Sequence, residues 1–277
     1  MKTAFLSLLI YSSAAVCVFP QTDTSDIVIG EKFLVPSVIL DHDPVVYISL
    51  PADYCDTNRY PLVLLHDADW LFPAFAGLTK LMGQMGEIPP CIVAGIPMHS
   101  DYVEYAPPIT GVPESGNADK VLQFYSDELF PFIDSIYPCS QERIIWAHSG
   151  LAGLFCTYIL LGECRLFSGI ISSSPNLKWV QEYITGDKTF EALAKKGEIF
   201  YYMSFGENEE DIYQGDMYSL IREFRDELDR IAPINLRWVY RLNEHNNHFT
   251  NAVESYMDGL KLYFSGDSPN KQVKLHP

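Results

Sequence analysis

Ile144-Ile-Trp-Ala-His-Ser-Gly-Leu-Ala-Gly-Leu-Phe155 joins two local patterns at a single serine. Ile144 to Ala147 is a short, uninterrupted apolar run, the mark of a strand buried on both faces of a sheet. After His148-Ser149-Gly150 the chain enters a second apolar run, Leu151 to Leu161, long enough for a helix. A strand that turns sharply into a helix at a serine is the layout of a nucleophile elbow, which lifts the hydroxyl above the sheet. The usual flanking glycines are replaced here. Ala147 stands two residues before Ser149, and Leu151 two residues after it. The segment predicts either an unusual esterase or an esterase fold that has lost its chemistry.

Further apolar runs lie on either side of the elbow. Residues 61–66, 90–96, 167–172, 199–205 and 235–240 read as buried strands, and Val45 to Leu50 as an antiparallel strand at the sheet edge. Helical patterns cover 75–85, 118–136 (interrupted by Pro131), 188–196, 217–231 and 253–264. Strands alternating with helices predict an α/β fold, a mostly parallel central sheet with helices on both faces. Ligands of such sheets bind beyond the carboxyl ends of the strands. Ser149, the acidic run Glu207 to Asp211, and His245 and His248 each follow a strand. Their order of serine, acid and histidine is the one a serine hydrolase on this fold requires. A serine hydroxyl is a weak nucleophile, so a histidine must take its proton, and an acid commonly holds that imidazole's tautomer.

The whole chain sets broad bounds. Its 277 residues can bury a sizeable core, and 48% apolar with 20% charged residues is an ordinary globular balance. A formal charge of −17 disfavours nucleic acid and anionic membranes as partners. Lys2, the apolar stretch Ala4 to Cys17 and the small-x-small site Ala15-Val16-Cys17 read as a signal peptide over 1–17, hence a secreted protein. A lead-in over 18–36, a hydrolase domain over 37–266 and a flexible tail over 267–277 complete the expected organisation. No transmembrane helix is expected in the mature chain. In an oxidising compartment, Cys55, Cys91, Cys139 and Cys164 lie where bridges could form, whereas Cys156 reads as a buried free thiol. No Cys/His cluster points to a metal, and the chemistry needs no cofactor.

Six segments carry a resemblance. Leu64-Leu-His-Asp-Ala-Asp-Trp70 resembles L-L-D-G-D-W, and Glu87-Ile-Pro-Pro-Cys-Ile-Val-Ala-Gly-Ile96 resembles L-P-P-x-I-V-V-G-I. Ser115-Gly-Asn-Ala-Asp119 is similar to S-G-G-A-D, and Phe130-Pro-Phe-Ile-Asp134 to a helix ending in P-x-I-D. Ser173-Ser-Pro-Asn-Leu-Lys-Trp179 resembles A-S-P-S-L-W-W, and Asn247-His-Phe-Thr250 resembles N-H-F-T around a catalytic histidine. Together they resemble the esterases of the esterase D and enterochelin esterase type, trilactone-siderophore hydrolases among them, within the α/β-hydrolase superfamily. The likeness runs from about Val45 to Phe264. It implies His248 as base and Glu209 as acid, with Glu207, Asp211 or no acid as alternatives. It also implies an oxyanion hole from the backbone N–H of Gly150 and of Ala68 or Asp69, with Asp67 and Asp69 shaping that loop. Trp70, Tyr105 and Trp179 are the candidate walls of a cleft for a small-molecule ester.

The family's elbow, R-x-x-x-G-H-S-x-G-G-L-F, can be aligned in two ways. Counting from Arg143 puts the nucleophile at Ser149; counting back from Gly153-Leu-Phe155 puts that position at Gly150. In the first register Leu151 is expected to be crowded. In the second there is no nucleophile, and the chain becomes a ligand- or partner-binding relative. Peptidase activity is disfavoured, since no propeller or cap sequence is present to select peptides.

Overall fold

A computed structural model describes residues 26–97, 105–109, 112, 115–162, 165–179, 197–209 and 217–266. The signal segment expected over 1–17, Cys164, Asp211, the helix expected over 188–196 and the tail expected over 267–277 lie outside the described residues.

Eight strands form one sheet: β1 (Glu31–Leu34), β2 (Val45–Ser49), β3 (Tyr60–Leu65), β4 (Ile92–Gly95), β5 (Cys139–His148), β6 (Gly169–Ser173), β7 (Ile199–Gly206) and β8 (Leu236–Asn243). Their spatial order is β1-β2-β4-β3-β5-β6-β7-β8. β2 runs antiparallel to both neighbours, and the pairs from β4–β3 to β7–β8 are parallel. Helices α1 (Ala68–Gln84), α2 (Ala118–Phe124), α3 (Phe130–Ile136), α4 (Gly150–Leu161), α5 (Met217–Ile231) and α6 (His248–Ser265) cover the sheet. This is the α/β-hydrolase arrangement that the resemblance implies.

The continuous apolar runs follow from this layering. Along β3, Leu62 and Leu64 enter the core on one face, shared with α2 to α5. Val63 and Leu65 enter the core on the other, with α1 and α6. Successive side chains alternate across a strand, so a strand covered on both faces needs apolar residues at every position. The chain order reverses between β3 and β5, the switch point at which such sheets open a crevice.

Several elements depart from the sequence expectations. The outermost strand is β1, so the lead-in contributes four residues to the sheet and β2 is not at its edge. A four-residue strand that is exposed except at half-buried Phe33 has little apolar periodicity to reveal it. α1 starts at Ala68 rather than near Phe75, because Asp67 takes a left-handed turn (φ 56°) that ends the β3 segment abruptly. The helix over 118–136 is continuous through a π-helical turn at Tyr125–Leu129. Pro131 cannot donate to the carbonyl four residues back, and the wider turn just before it absorbs that loss. α6 begins at His248, not Val253.

Candidate active site

β5 ends at His148 and α4 begins at Gly150, leaving Ser149 alone at the turn. Ser149 adopts φ 67° and Gly150 φ 26°, two consecutive positive values. A non-glycine residue held at positive φ is strained, and such strain concentrates at functional sites. The second left-handed residue is a glycine, which adopts it without that cost. The turn is pinned from both sides. The Ser149 amide donates to Ser173 O (2.9 Å), and Gly153 N donates to Ser149 O (2.7 Å).

This geometry answers the register question. Ser149, not Gly150, carries the side chain at the tip, and its Oγ lies 2.9 Å from His248 Nε2. Leu151 is half-buried and packs on the core, so the expected crowding is absent. The close approach falls instead at Gly153. A Cβ there would lie 2.8 Å from Pro175 Cα and 3.0 Å from Ser173 O. Helix α4 therefore seats against the end of β6 through a glycine one turn into the helix.

His248 is positioned by its neighbours in Asn247-His-Phe-Thr250. Asn247 Oδ1 accepts from the amides of Phe249 (3.0 Å) and Thr250 (3.1 Å). Thr250 Oγ1 accepts in return from Asn247 N (2.9 Å). This capping box fixes the first turn of α6 and with it the direction of the His248 side chain. On the far side of the ring, Nδ1 lies 2.9 Å from Glu209 Oε2. Glu209 is buried, and its Oε1 accepts from Ser174 Oγ (2.8 Å) and Gly206 N (2.5 Å). Ser149, His248 and Glu209 thus form one hydrogen-bonded chain beyond the carboxyl ends of β5, β7 and β8.

The competing residues fall elsewhere. The His245 side chain is 92% exposed and 3.9 Å from Glu207, placing it on the surface. Glu207 accepts from the His245 amide (3.0 Å) rather than facing an imidazole of the site.

His148 lies beneath the chain, its ring 4.4 Å from that of His248 and stacked at 13° over Trp146. Burial, with a smaller contribution from His248, pushes it down to about 3, so it is neutral at ordinary pH. Its Nδ1 lies 2.9 Å from Ser173 Oγ. His66, also fully buried, is pushed down to about 3 by burial and contacts Tyr125 Oη (2.8 Å). Asp67 is raised to about 7, burial being the main cause; the His148 backbone N–H offsets part of it and Asp69 adds to it.

Four expectations need correction or restriction. The Ala68 amide donates to Ile96 O (3.2 Å), so it is already engaged and is not an oxyanion donor. Tyr105 is buried, its ring 5.0 Å from His66 and 6.1 Å from Phe155; it packs in the core, not on a cleft wall. Trp179 ends a 3₁₀ turn at Leu177–Trp179, and its side chain lies outside the described residues. Trp70 does face the opening: it is 52% exposed, with its ring 6.5 Å from His148. Phe249, 63% exposed and 6.2 Å from Trp70, stands beside it and was missed, although it directly follows His248. Cys55, Cys91, Cys139 and Cys156 are free thiols, so the first three form no bridge with one another.

The sequence profile of the Esterase family, described as "Putative esterase", matches residues 37–262. The ferri-bacillibactin esterase BesA of Bacillus subtilis (strain 168) is 26% identical over 251 residues, covering 81% of this chain and 86% of its own. An IroE-like serine hydrolase from Shewanella oneidensis superposes with a TM-score of 0.76 at 24% identity, covering 85% of this chain and 80% of that one. The siderophore hydrolase EstB from Aspergillus nidulans superposes with a TM-score of 0.74 at 17% identity, over 90% and 98% of the two chains. At these identities the two structural likenesses speak for the fold.

Proposed function

The chain belongs to the Esterase family, and on that premise we propose that it is a secreted serine esterase that hydrolyses carboxylic esters through an acyl-enzyme. The observation that carries the mechanism is the pair of 2.9 Å contacts of His248, Nε2 to Ser149 Oγ and Nδ1 to Glu209 Oε2. Ser149 Oγ attacks the ester carbonyl carbon while His248 Nε2 takes its proton. Glu209 holds the other ring nitrogen as the N–H donor and stabilises the imidazolium that forms. The tetrahedral oxyanion is met by the Gly150 amide and by the Asp69 amide, the loop donor that remains once Ala68 N is engaged with Ile96 O. Collapse breaks the bond to the alcohol, which leaves with the proton from His248. A water molecule, deprotonated by His248, then attacks the acyl carbon and releases the acid and Ser149.

The named activity of BesA, a ferri-bacillibactin esterase, supports a small-molecule ester as substrate, and an ester of a hydroxy acid or a related small ester is the reading the family resemblance suggests. The charge of −17 disfavours a polyanionic one. Secretion rests on the pattern of residues 1–17. The binding-protein alternative required Gly150 at the turn tip, and no observation favours it.

Purified protein is expected to be labelled by a fluorophosphonate probe and to hydrolyse short p-nitrophenyl esters, with both lost in Ser149→Ala. Absence of labelling and turnover in the wild type refutes the enzyme. N-terminal sequencing of the exported protein is expected to begin after the small-x-small site; an intact Met1 refutes the signal peptide.

A further inference from the structure

We propose that Ser174 and Asn251 are positioning residues that hold Glu209 in register with His248; this rests on the Ser149–His248–Glu209 reading above. Glu209 follows the turn after β7, outside any strand or helix; backbone bonds from Glu207 N to Asn243 O (3.0 Å) and Asn208 N to Asn246 O (2.9 Å) place the chain there but not its side chain. Its orientation comes from a buried polar network instead. Ser174, fully buried just past β6, adopts φ 49°, a strained conformation for a residue with a side chain. From there its hydroxyl donates to Glu209 Oε1 (2.8 Å).

The direction of that bond is set one step further back. Asn243 Nδ2 donates to Asn251 Oδ1 (2.7 Å), which fixes the orientation of the Asn251 amide. Asn251 Nδ2 must then donate outward, to Ser174 Oγ (2.7 Å) and Ser173 Oγ (3.2 Å). With a lone pair of Ser174 Oγ so used, its proton goes to Glu209. Oε1 is thereby held by Ser174 and Gly206, and Oε2 is presented to His248. The second branch passes through Ser173 to His148 Nδ1 (2.9 Å), so one amide supports both the acid and the imidazole packed on His248. Every member of the network is buried, where each such bond is strengthened by the low local dielectric.

The role makes a kinetic prediction that mere structural support does not. Ser174→Gly removes the hydroxyl while glycine adopts the left-handed backbone freely, so the fold is retained. Loss of the hydroxyl leaves Glu209 Oε1 and Asn251 Nδ2 each one partner short, so the variant's melting temperature is expected to fall as well, and the discriminating readouts are kcat against KM and the double variant. Its kcat is expected to fall about tenfold to a hundredfold, the factor that a hydrogen bond to a charged group corresponds to, with KM changed less than about twofold. Asn251→Asp, which replaces the donor amide by an acceptor, is expected to lose kcat similarly. In a Glu209→Gln background, adding Ser174→Gly is expected to cost nothing more, because it acts only through the acid. An unchanged kcat in Ser174→Gly, or a full further loss in the double variant, overturns the proposal while leaving the esterase reading intact. A wild type without esterase activity overturns both.

Discussion

Asp67 places an ionisable carboxyl where water barely reaches: it is 6% exposed, and its Oδ2 has no hydrogen-bond partner among the described residues. Burial raises it from 3.8 to about 7. Between those values the folded chain keeps a proton that the unfolded chain has released. Stability therefore falls as pH rises from about 4 to about 7 and is flat above, because the native state binds more protons in that window. The two values differ by about 3, and at about 1.4 kcal/mol for each step of one this amounts to about 4 kcal/mol. Asp67→Asn has nearly the same shape and no charge to bury. It adds an amide N–H whose own partner is not assured, so a constant offset is expected as well. The informative quantity is the change with pH. Urea unfolding of both proteins from about pH 4 to about pH 8 is expected to show the variant gaining on wild type by about 4 kcal/mol across that range. The other titrating groups are common to both proteins and cancel. A difference that is flat with pH, or that shrinks as pH rises, refutes the argument.

His66 and His148 act in the opposite direction: both are pushed down to about 3, whereas unfolded imidazoles take up protons near 6.5. Stability is accordingly lost as pH falls from 6.5 toward 3, and far-UV circular dichroism is expected to show cooperative acid unfolding that His148→Asn makes less steep in pH. Glu209→Gln keeps the side chain's shape but not its charge; kcat is expected to fall by about 10² to 10⁴, with KM nearly unchanged in steady-state assays. An unchanged kcat there identifies a Ser–His pair that needs no acid. Gly153→Ala inserts a methyl group 2.8 Å from Pro175 Cα, and the forced shift of α4 is expected to cost about 1–3 kcal/mol of stability. The same shift displaces Ser149, so hydrolysis is expected to drop as well; a variant with wild-type melting and turnover shows that α4 can move freely.

The elements around the site differ in how far local pattern reveals them. β3, β7 and the second half of β5 are legible because strands buried on both faces need apolar residues throughout, whereas edge strand β8 is fully buried only at Leu236, Val239 and Asn243. The order of serine, acid and histidine follows from which strands precede them. The Asn247-His-Phe-Thr250 motif carries both its helix cap and its base in four adjacent residues, so His248 is readable from sequence alone. The supporting residues are not. Ser173, Ser174, Asn243 and Asn251 are ordinary polar residues, separated by up to 78 positions along the chain, and only β6, β8 and α6 packing together makes them one network. Asp67 and Tyr105 likewise depend on contacts from distant segments for their burial.

At the elbow the two sources of information meet. Amino-acid pattern establishes that a buried strand passes into an apolar helix at His148-Ser149-Gly150, because apolar periodicity and the break in it are local properties. It leaves two registers one residue apart, since a backbone turn at Ser149 or Gly150 costs little to distinguish in local terms. Tertiary structure separates them. Pro175 and Ser173 press on Gly153, the Ser149 amide bonds across to β6, and His248 receives the hydroxyl at 2.9 Å. A dihedral angle at one residue is thus selected by packing against strands remote in sequence, which no local pattern contains.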